Sequence, residues 1–406
     1  MIYIGLDRIQ AEIAGKLRGK RVGLITNNMA RNSNLFSSLD LIGSVKEIKE
    51  ITVLSPEHGY FGDFQAGSTV SSYFDNDLNV NVESLYREPD TLPEDMKHDI
   101  DHSMRTIDSL KDISKYPPRE LMEKFDIILY DLQDVGCRIY TYIATMIYAM
   151  EMSRSDEQEF VVLDRPNPIT GKNPEGPILQ PGLFSFIGAI SIPMRHSLTV
   201  GEIALYFNEF VNKHKTKLDV VQMKNWRRNY WQDQTGYPWI MPSPNMPTLE
   251  TATVYPGTVM IEGTNISEGR GTTRPFQIIG APWINGLKLK ERISEMKLPG
   301  VQVMEIKFRP SFSKYSGEVC YGIYVHVKDR NLFRPFEFAL DLMENILDLY
   351  PENFAFHESY FDKASGNKRV REMLLSGNTG TEILKEFDDE IKKYLSDIEE
   401  IKLYRQ

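Results

Sequence analysis

Four short hydrophobic runs in the first half of the chain each end in a polar cluster. The runs are RVGLIT, EITVLS, FDIILYDL and EFVVLD, at residues 21–26, 50–55, 125–132 and 159–164. Each is rich in Val, Ile and Leu, and enough chain separates consecutive runs to form a helix. This pattern is typical of strands that are buried on both faces of a parallel sheet. The first half is therefore predicted to consist of β-then-α units.

Polar side chains follow these runs where each predicted strand ends. Asn27, Glu57, Asp134 and Asp164 lie in the clusters ITNN, SPEHG, DLQDVGCR and LDRPNP. In an open α/β sheet, ligands bind outside the carboxyl ends of the strands. We therefore expect the four clusters to share one rim of the sheet, and this arrangement indicates an enzyme.

The second half has a different pattern, with a boundary predicted between residues 215 and 240. Residues 237–248 carry four prolines, too many for regular structure, and 254–276 are rich in Gly and Thr, as in ordered loops around short strands. Alternating hydrophobic positions in 301–310 and 318–329 predict antiparallel strands. This half is therefore predicted to be α+β. Helical spacing occurs in segments of both halves, at 137–153, 201–214, 333–350 and 381–404.

Composition narrows the class of protein. A chain of 406 residues exceeds the usual size of a single core, so two domains are expected. The net charge of −10 argues against nucleic acid or an anionic membrane surface as a partner. No apolar run reaches membrane-spanning length, and the N-terminus lacks the apolar region of a secretory signal. The expected location is cytoplasmic, or exported if a signal has been removed.

Glu57 and His58 directly follow the second predicted strand, between Pro56 and Gly59. Neighbouring groups can desolvate a carboxyl at such a position and favour the protonated form that a general acid needs. The alternative is a carboxylate that caps the next turn or pairs with an arginine. His58 is expected to position other groups rather than to act as a base.

The next two clusters offer polar side chains for a ligand. Asp134, Arg138 and Tyr140 are candidates for contacts to hydroxyl groups, whereas Asp131, inside the strand, is expected to be structural and satisfied by backbone or by Arg138. LDRPNP forms a loop stiffened by prolines. Its Asp164 contacts a ligand or only caps the loop, and both interpretations remain open. The polar residues of this loop are Asp164, Arg165 and Asn167.

Two further segments carry candidate chemistry. His196 precedes a helix start at which Thr199 and Glu202 have the spacing of a capping box, so Glu202 is expected to be structural. In EGTNISEGRGTTRPF, glycines would let the backbone approach a ligand, and Arg270 suits a carboxylate.

Neither a GxxxxGK[ST] loop nor a GxGxxG turn after the first strand is present, and the histidines are scattered. No cofactor or metal is therefore predicted.

Together these segments resemble one family, the NamZ-type exo-β-N-acetylmuramidases of glycoside hydrolase family 171. The matching blocks include GKRVGLITN, LSPEHGYFGDFQAG, DLQDVGCRIYTYI, VLDRPNPITG, IPMRHSLTVGEIA, WIMPSPNMPT and TATVYPGTVMIEGTNISEGRGTTRPF. They are collinear over roughly residues 4–320, which makes them far more specific than a lone motif. Residues 88–118 look longer than the usual connection in this family.

The resemblance implies a fold and an activity. The expected fold is α/β, with a Rossmann-like, doubly wound parallel-sheet domain over 1–225 and a smaller C-terminal α+β domain over 226–406. The active site would lie in the cleft between them. The expected activity is release of β-1,4-linked N-acetylmuramic acid from the non-reducing ends of peptidoglycan fragments, with no cofactor. The substrate contacts expected are Asn27, His58, Arg138, Tyr140, Asp164, Arg165, Asn167, His196, Asn245, Glu262, Asn265 and Arg270.

Glycoside hydrolysis of this kind uses two carboxyl groups. Glu57 is the predicted acid, and Asp134 or Glu268 is its predicted partner. A separation of about 5 Å between the two would give retention of the anomeric configuration, and ~6.5–9.5 Å would give inversion. Arg270 would recognise the lactyl carboxylate of muramic acid, with His196 as a possible helper.

Two other functions would fit the same ligand class. A muropeptide-binding sensor would bind without turnover, but it has little need for acids at the strand ends. An amidase or esterase would release peptide or lactate, but the sequence has no GxSxG elbow and no Cys–His signature. The glycosidase is therefore the preferred prediction.

Overall fold

The computed structural model describes residues 2–405 apart from 66, 69, 88–113 and 154–157. Most of the long connection predicted at 88–118 therefore lies outside the described residues. The strands, in chain order, are β1 (Arg21–Thr26), β2 (Glu50–Ser55), β3 (Tyr73–Asp75), β4 (Val80–Ser84), β5 (Ile127–Asp131), β6 (Glu159–Leu163), β7 (Glu175–Ile178), β8 (Pro193–Arg195), β9 (Lys217–Val221), β10 (Ile278–Ala281), β11 (Val301–Phe308) and β12 (Cys320–Val327).

The largest sheet contains the four strands predicted from the hydrophobic runs. Its order is β3-β4-β2-β1-β5-β6-β9, and every neighbouring pair is parallel except β3 with β4 at one edge. From β1 the chain runs outward to β2 and β4, and then returns to the other side of β1 as β5. This reversal creates a switch point between β1 and β5, where ligands bind in open α/β sheets. The predicted doubly wound sheet is confirmed.

Side chains of the central strands alternate between two apolar layers. On β5, Ile127 and Leu129 pack into one buried cluster with the N-terminal helices, whereas Ile128 and Tyr130 pack into another with the helices of both halves. All five residues of β5 are buried. Burial on both faces explains why these runs are continuously hydrophobic in the sequence.

Helices cover the sheet and build much of the second half. Their α-helical segments are α1 (Ile9–Glu12), α2 (Ala14–Leu17), α3 (Ser38–Gly43), α4 (Arg119–Met122), α5 (Tyr142–Met152), α6 (Val200–Tyr206), α7 (Leu249–Thr258), α8 (Gly286–Glu295), α9 (Pro335–Leu349), α10 (Glu358–Ser365), α11 (Lys368–Leu375), α12 (Gly380–Glu386) and α13 (Asp388–Asp397).

Local sequence signals set several helix ends. Thr199 accepts a hydrogen bond from the backbone of Glu202, whose side chain bonds back to Thr199, so the predicted capping box is confirmed. The helix predicted at 201–214 is α-helical only to Tyr206 and continues as a π-helical turn over Phe207–Val211. The helix predicted at 381–404 is divided at Phe387 into α12 and α13.

The segment around residues 249–263 differs from the prediction. Loops around short strands were expected, but the chain forms α7 and then a 3-10 turn over Val259–Gly263. The hydroxyl of Thr248 caps α7 by accepting from the backbone N–H of Thr251. Burial of nearly the whole segment outweighs the poor helix propensity of its threonines, glycine and Pro256. This turn carries Glu262 to the position described below.

A smaller antiparallel sheet lies in the second half, with the order β10-β12-β11. The antiparallel pair predicted from alternation is confirmed as β11 and β12, and α8 and α9 pack nearby. The domain boundary at 225/226 stays a prediction. Among the described residues, no helix is both long enough and apolar enough to cross a membrane.

Helices α7 and α9 meet at Gly257, which has no side chain to separate their backbones. A Cβ atom at Gly257 would lie 1.8 Å from the carbonyl oxygen of Pro335. At Gly43, the last residue of α3, a Cβ atom would meet nothing within 4 Å. The two glycines therefore form a matched pair for testing this packing.

We expect Gly257→Ala to lower the free energy of unfolding by about 1–3 kcal/mol, because the helices must separate to admit the methyl group. Gly43→Ala should leave stability unchanged or raise it by less than about 1 kcal/mol. Urea unfolding of both variants measures the difference. Equal stability of the two variants would contradict the close approach of α7 and α9.

Candidate active site

A cavity of about 370 Å³ is bounded by the segments that follow β2 and β5 and by residues of the second half. Glu57 and His58 come from the first of these segments and Tyr140 from the second. Asn245, Glu262 and Arg270 come from the second half, so six of the residues predicted for the site line this cavity. Its wall also contains Lys115, Thr141, Phe186, Ser243, Met246, Tyr255, Phe276, Tyr360 and Lys363.

Glu57 is held by hydrogen bonds from two other parts of the chain. Its Oε1 accepts from the backbone N–H of Gly67 at 3.0 Å, and its Oε2 accepts from the hydroxyl of Thr141 at 2.6 Å. The hydroxyl of Tyr86 accepts from the backbone N–H of Glu57 at 3.2 Å. The carboxyl group is thus fixed in orientation at the cavity wall, as a group that transfers a proton requires.

His58 shapes the loop that follows Glu57. Its φ of 71° is in the left-handed region, which is uncommon for a residue other than glycine. Its ring Nδ1 lies 2.8 Å from the carbonyl oxygen of Phe64, which fixes the ring against this loop. His58 lines the cavity, and its predicted positioning role fits these contacts.

Arg270 and Glu262 form an ion pair at the cavity wall. Arg270 donates from Nε to Glu262 Oε1 at 2.6 Å, and the hydroxyl of Tyr360 donates to Glu262 Oε2 at 2.8 Å. The guanidinium also lies over the ring of Phe276, 5.0 Å from its centroid. Burial lowers the pKa of Arg270, but Glu262 and then Glu268 oppose this effect and leave the pKa above its ordinary value.

Glu268 lies behind Arg270 and does not line the cavity. Its side chain is 2 % exposed and pairs with Lys314 at 3.1 Å and with Arg270 at 3.5 Å. Burial raises the pKa of Glu268, and the charge of Lys314 offsets part of this rise. Its position therefore supports a role in holding Arg270, while the predicted catalytic role would require direct access to the ligand.

Asp134 is also outside the cavity wall. Its Oδ2 accepts from the backbone N–H of Gly136 at 2.7 Å and lies 3.1 Å from Nε2 of His196. The other ring nitrogen of His196 accepts from the backbone N–H of Leu198, so the ring carries its proton on Nε2 and donates it to Asp134. The Asp134–His196 pair connects two loops. Both residues were predicted to contact a ligand, and neither lines the cavity.

The polar residues of LDRPNP hold their own loop together. Asp164 accepts hydrogen bonds from the backbone of Gly201 and from the hydroxyls of Thr199 and Tyr404. Of the two interpretations left open for Asp164, capping is therefore the one that its contacts fit. Asn167 donates to the carbonyl oxygen of Leu198 at 2.9 Å.

Arg165 makes a buried, two-point ion pair with Asp131. Its Nε and Nη2 lie 2.5 and 2.9 Å from the two carboxylate oxygens. Asp131 is structural, as predicted, but its partner is Arg165 and not Arg138. Such a pair satisfies both charges inside the protein, and it leaves Arg165 outside the cavity wall.

Three other predicted contacts lie outside the cavity wall. Asn27 donates to the hydroxyl of Tyr142 at 2.9 Å, and Asn265 bonds the backbone of Asn353 and Ala355. Arg138 is fully buried and donates to the carbonyl oxygen of Ala364, near the end of α10. Burial lowers the pKa of Arg138 to about 10. These side chains connect segments of the fold.

Comparison with known proteins identifies the family. The N-terminal model of exo-β-N-acetylmuramidase NamZ matches residues 22–110 and 96–250, and the C-terminal model matches residues 253–404. The chain belongs to the NamZ family. It is 42 % identical to the peptidoglycan β-N-acetylmuramidase NamZ of Bacillus subtilis strain 168, over 97 % of this chain and 91 % of that protein.

Solved structures support the same NamZ fold. The chain is similar to a DUF1343 family protein from Bacteroides fragilis, with 31 % identity and a TM-score of 0.86, over 100 % of this chain and 99 % of the other. A second DUF1343 protein of that organism, 24 % identical with a TM-score of 0.75 over the same shares, has the same fold.

Several lining residues of this NamZ-family cavity were missed by the sequence argument. Thr141 directly follows Tyr140, but a hydroxyl beside the charged residues of DLQDVGCRIYTY carries no signal of its own in the sequence. Tyr360 and Lys363 are three residues apart on α10, a spacing that places both on one face. No sequence signal indicates that this face reaches the cavity. Among the described residues, no group of three His, Cys, Asp or Glu side chains could hold a metal ion.

The buried Asp164 gives a testable pH dependence. Burial raises its pKa to about 7, although several donors oppose this shift. An unfolded aspartate has a pKa near 4, so the folded state binds this proton more tightly. The contribution of Asp164 to stability is therefore present at low pH and is lost as pH rises from about 4 to about 7.

We expect Asp164→Asn to remove this dependence. The free energy of unfolding of the unmodified protein should fall relative to that of Asp164→Asn as pH rises through this window, by at most ~1.4 kcal/mol per pH unit. Urea unfolding of both proteins at several pH values measures the slope. Parallel curves would show that Asp164 does not titrate in this range.

Proposed function

We propose that this protein releases β-1,4-linked N-acetylmuramic acid from the non-reducing ends of peptidoglycan fragments, with Glu57 as the general acid. The observation that carries this proposal is the position of Glu57. It lies just past a strand of the parallel sheet, it faces the cavity, and its chain belongs to the NamZ family. The Bacillus subtilis relative is named for the same activity on peptidoglycan.

The size of the cavity supports exo-acting cleavage. Small-molecule sites range from about 300 to 1,000 Å³, and about 370 Å³ is at the lower end of that range. Such a volume suits one terminal amino sugar better than an internal stretch of glycan. The preferred small substrate is therefore a disaccharide of N-acetylmuramic acid β-1,4-linked to N-acetylglucosamine.

The lining residues suit the groups that muramic acid carries. Phe186, Tyr255 and Phe276 offer apolar surface for the sugar ring, and Asn245, whose amide donates to Gln65, also lines the cavity. The lactyl carboxylate requires positive charge, which Arg270, Lys115 and Lys363 bring to the cavity wall. This chemistry favours an anionic sugar over a neutral one.

In the proposed reaction, Glu57 donates its proton to the glycosidic oxygen as the bond from the anomeric carbon breaks. Thr141 and the backbone N–H of Gly67 keep the carboxyl group aimed at that oxygen. The departing alcohol is the 4-hydroxyl of the next sugar, and water supplies the hydroxyl of the released N-acetylmuramic acid.

We expect Glu57→Gln to lower kcat/KM on the disaccharide by about 10²–10⁴-fold. The loss should be smaller on a 4-nitrophenyl muramide, because nitrophenolate departs without a proton. Release of free N-acetylmuramic acid and of nitrophenol measures the two rates. The matched control is Glu295→Gln, an exposed position in α8 outside the cavity, which should keep full activity.

Equal losses on both substrates would contradict Glu57 as the acid. A wild-type protein that binds muropeptides without releasing sugar would instead be a sensor. Release of peptide or lactate would indicate an amidase or esterase. Each of these outcomes overturns the proposed function.

A second variant tests how Glu57 is positioned. Thr141→Val keeps the volume of the side chain but removes its hydrogen bond to Glu57, so kcat should fall about 10–100-fold with little change in KM. Thr141→Ser keeps the hydroxyl and should retain most activity. Steady-state kinetics on the disaccharide measure both. Equal losses in the Ser and Val variants would indicate that the hydroxyl does not position Glu57.

A further inference from the structure

The cavity contains a second carboxylate, that of Glu262, which the sequence predicts only as a substrate contact. Among the described residues that line the cavity, Glu57 and Glu262 are the two with carboxyl groups. Glu57 belongs to the sheet half and Glu262 to the turn after α7, so the two halves each contribute one. Asp134 and Glu268, the partners that the sequence favoured, do not line the cavity.

Both oxygens of Glu262 accept hydrogen bonds. Arg270 donates to Oε1 at 2.6 Å and the hydroxyl of Tyr360 donates to Oε2 at 2.8 Å. These donors stabilise negative charge and fix the rotamer. Oε1 also lies 2.6 Å from Nη2 of Arg270, so the lone pair that remains is on Oε2, since each carboxylate oxygen has about two acceptor sites. Glu262 can therefore meet a ligand without losing either partner.

The network behind Glu262 keeps Arg270 in place. Charges alternate from Glu262 to Arg270, then to Glu268 and Lys314, with separations of 2.6, 3.5 and 3.1 Å. Glu268 therefore compensates part of the charge of Arg270 on the side away from the cavity. Such a supporting layer is what a functional group needs to keep its geometry during a reaction.

Exposure distinguishes Glu262 from the purely structural acids. The carboxylates in the buried pairs Arg165–Asp131 and Arg228–Glu202 are both 0 % exposed. Glu262 keeps 16 % of its side-chain surface, although it too is paired with an arginine. A carboxylate that only holds an arginine in place can be fully buried, whereas one that reacts with the anomeric carbon must remain accessible to the ligand.

We propose that Glu262 is the catalytic nucleophile. This inference rests on the proposed function and adds the identity of the second carboxylate. Both glutamates have donors on both oxygens, but those of Glu57 are the neutral Thr141 and the backbone of Gly67, whereas Glu262 is paired with the cationic Arg270. Pairing with a cation suits a group that attacks as an anion, and this favours Glu262 as the nucleophile. The reaction then proceeds through a covalent glycosyl-enzyme and retains the anomeric configuration.

Two displacements give this outcome. In the first, a carboxylate oxygen of Glu262 bonds to the anomeric carbon, the bond to the glycosidic oxygen breaks, and Glu57 protonates the leaving oxygen. In the second, Glu57 takes a proton from water, the water oxygen bonds to the anomeric carbon, and Glu262 leaves as a carboxylate. The net reaction consumes one water molecule and needs no other reactant.

Azide rescue on a 4-nitrophenyl β-muramide tests this assignment. Glu262→Ala should lower kcat at least about a thousandfold, and azide should enter the vacated space and yield the α-glycosyl azide. Glu57→Ala should instead yield the β-glycosyl azide, because azide then attacks the glycosyl-enzyme from the opposite face. NMR of the azide products and of the first sugar anomer released by the wild-type protein reads out the configuration.

The outcomes separate a failure of this inference from a failure of the proposed function. An active wild-type protein that releases the α-anomer first, or a Glu262→Ala protein that yields no α-azide, would overturn the nucleophile while leaving the glycosidase. A wild-type protein that releases no muramic sugar would overturn both. Glu262→Gln keeps the side-chain volume and replaces Glu262→Ala if that variant proves unstable. Glu262→Gln should be equally inactive without azide. If its activity were within tenfold of the wild type, the inference would also be overturned.

Discussion

The structure depends on one constraint: polar groups at the ends of the buried central strands of the sheet need partners inside the protein. Water does not reach most of these strand ends, and an unpaired buried polar group costs about 1–3 kcal/mol. The pair Arg165–Asp131 and the bonds of Asp164 satisfy this constraint, and His196 satisfies Oδ2 of Asp134, while Oδ1 of Asp134 is buried without a partner among the described residues. The loops of the sheet are therefore fixed by the same side chains that, in sequence, resemble ligand contacts.

This constraint explains how the cavity gains its chemistry. The polar groups at the other strand ends bond to partners within the protein. Glu57 and His58, which follow β2, face the cavity. The opposite wall must then come from the second half, where the turn after α7 carries Glu262 and a glycine-rich segment carries Arg270. A site built in this way needs both halves in contact, and within the second half the close approach of α7 and α9 at Gly257 packs the helix that leads into the turn bearing Glu262.

Much of the fold could be predicted because its signals are local. Continuous hydrophobic runs identified β1, β2, β5 and β6, and alternation identified β11 and β12. Thr199 and Glu202 marked a helix start by their spacing alone. Helix α7 could not be found in this way, since its threonines, glycine and proline favour loops and only tertiary burial makes the segment helical.

The site was harder to predict than the fold because function depends on which polar group is left facing the cavity. The sequence places Asp134 and Asp164 at strand ends. It does not reveal that Asp134 already pairs with His196, or that Asp164 already accepts a hydrogen bond from the backbone of Gly201. Lys363 and Tyr360 show the converse case, since neither lies in a recognisable motif and both reach the cavity from α10. The direction of a side chain is decided by packing between distant segments, which no local pattern records.

The charge arrangement of the cavity also limits the reaction. The substrate of the proposed reaction is an anion, and two carboxylates in one small cavity would repel it if they stood alone. Arg270 offsets Glu262, and Lys115 and Lys363 also line the cavity, so its lining carries positive charge for an anion although the whole chain is acidic. The lactyl group of the proposed substrate would have to bind near these cations, because its carboxylate needs a positive partner inside a partly buried cavity. The charges that permit binding would therefore also restrict how the sugar can lie relative to Glu57 and Glu262.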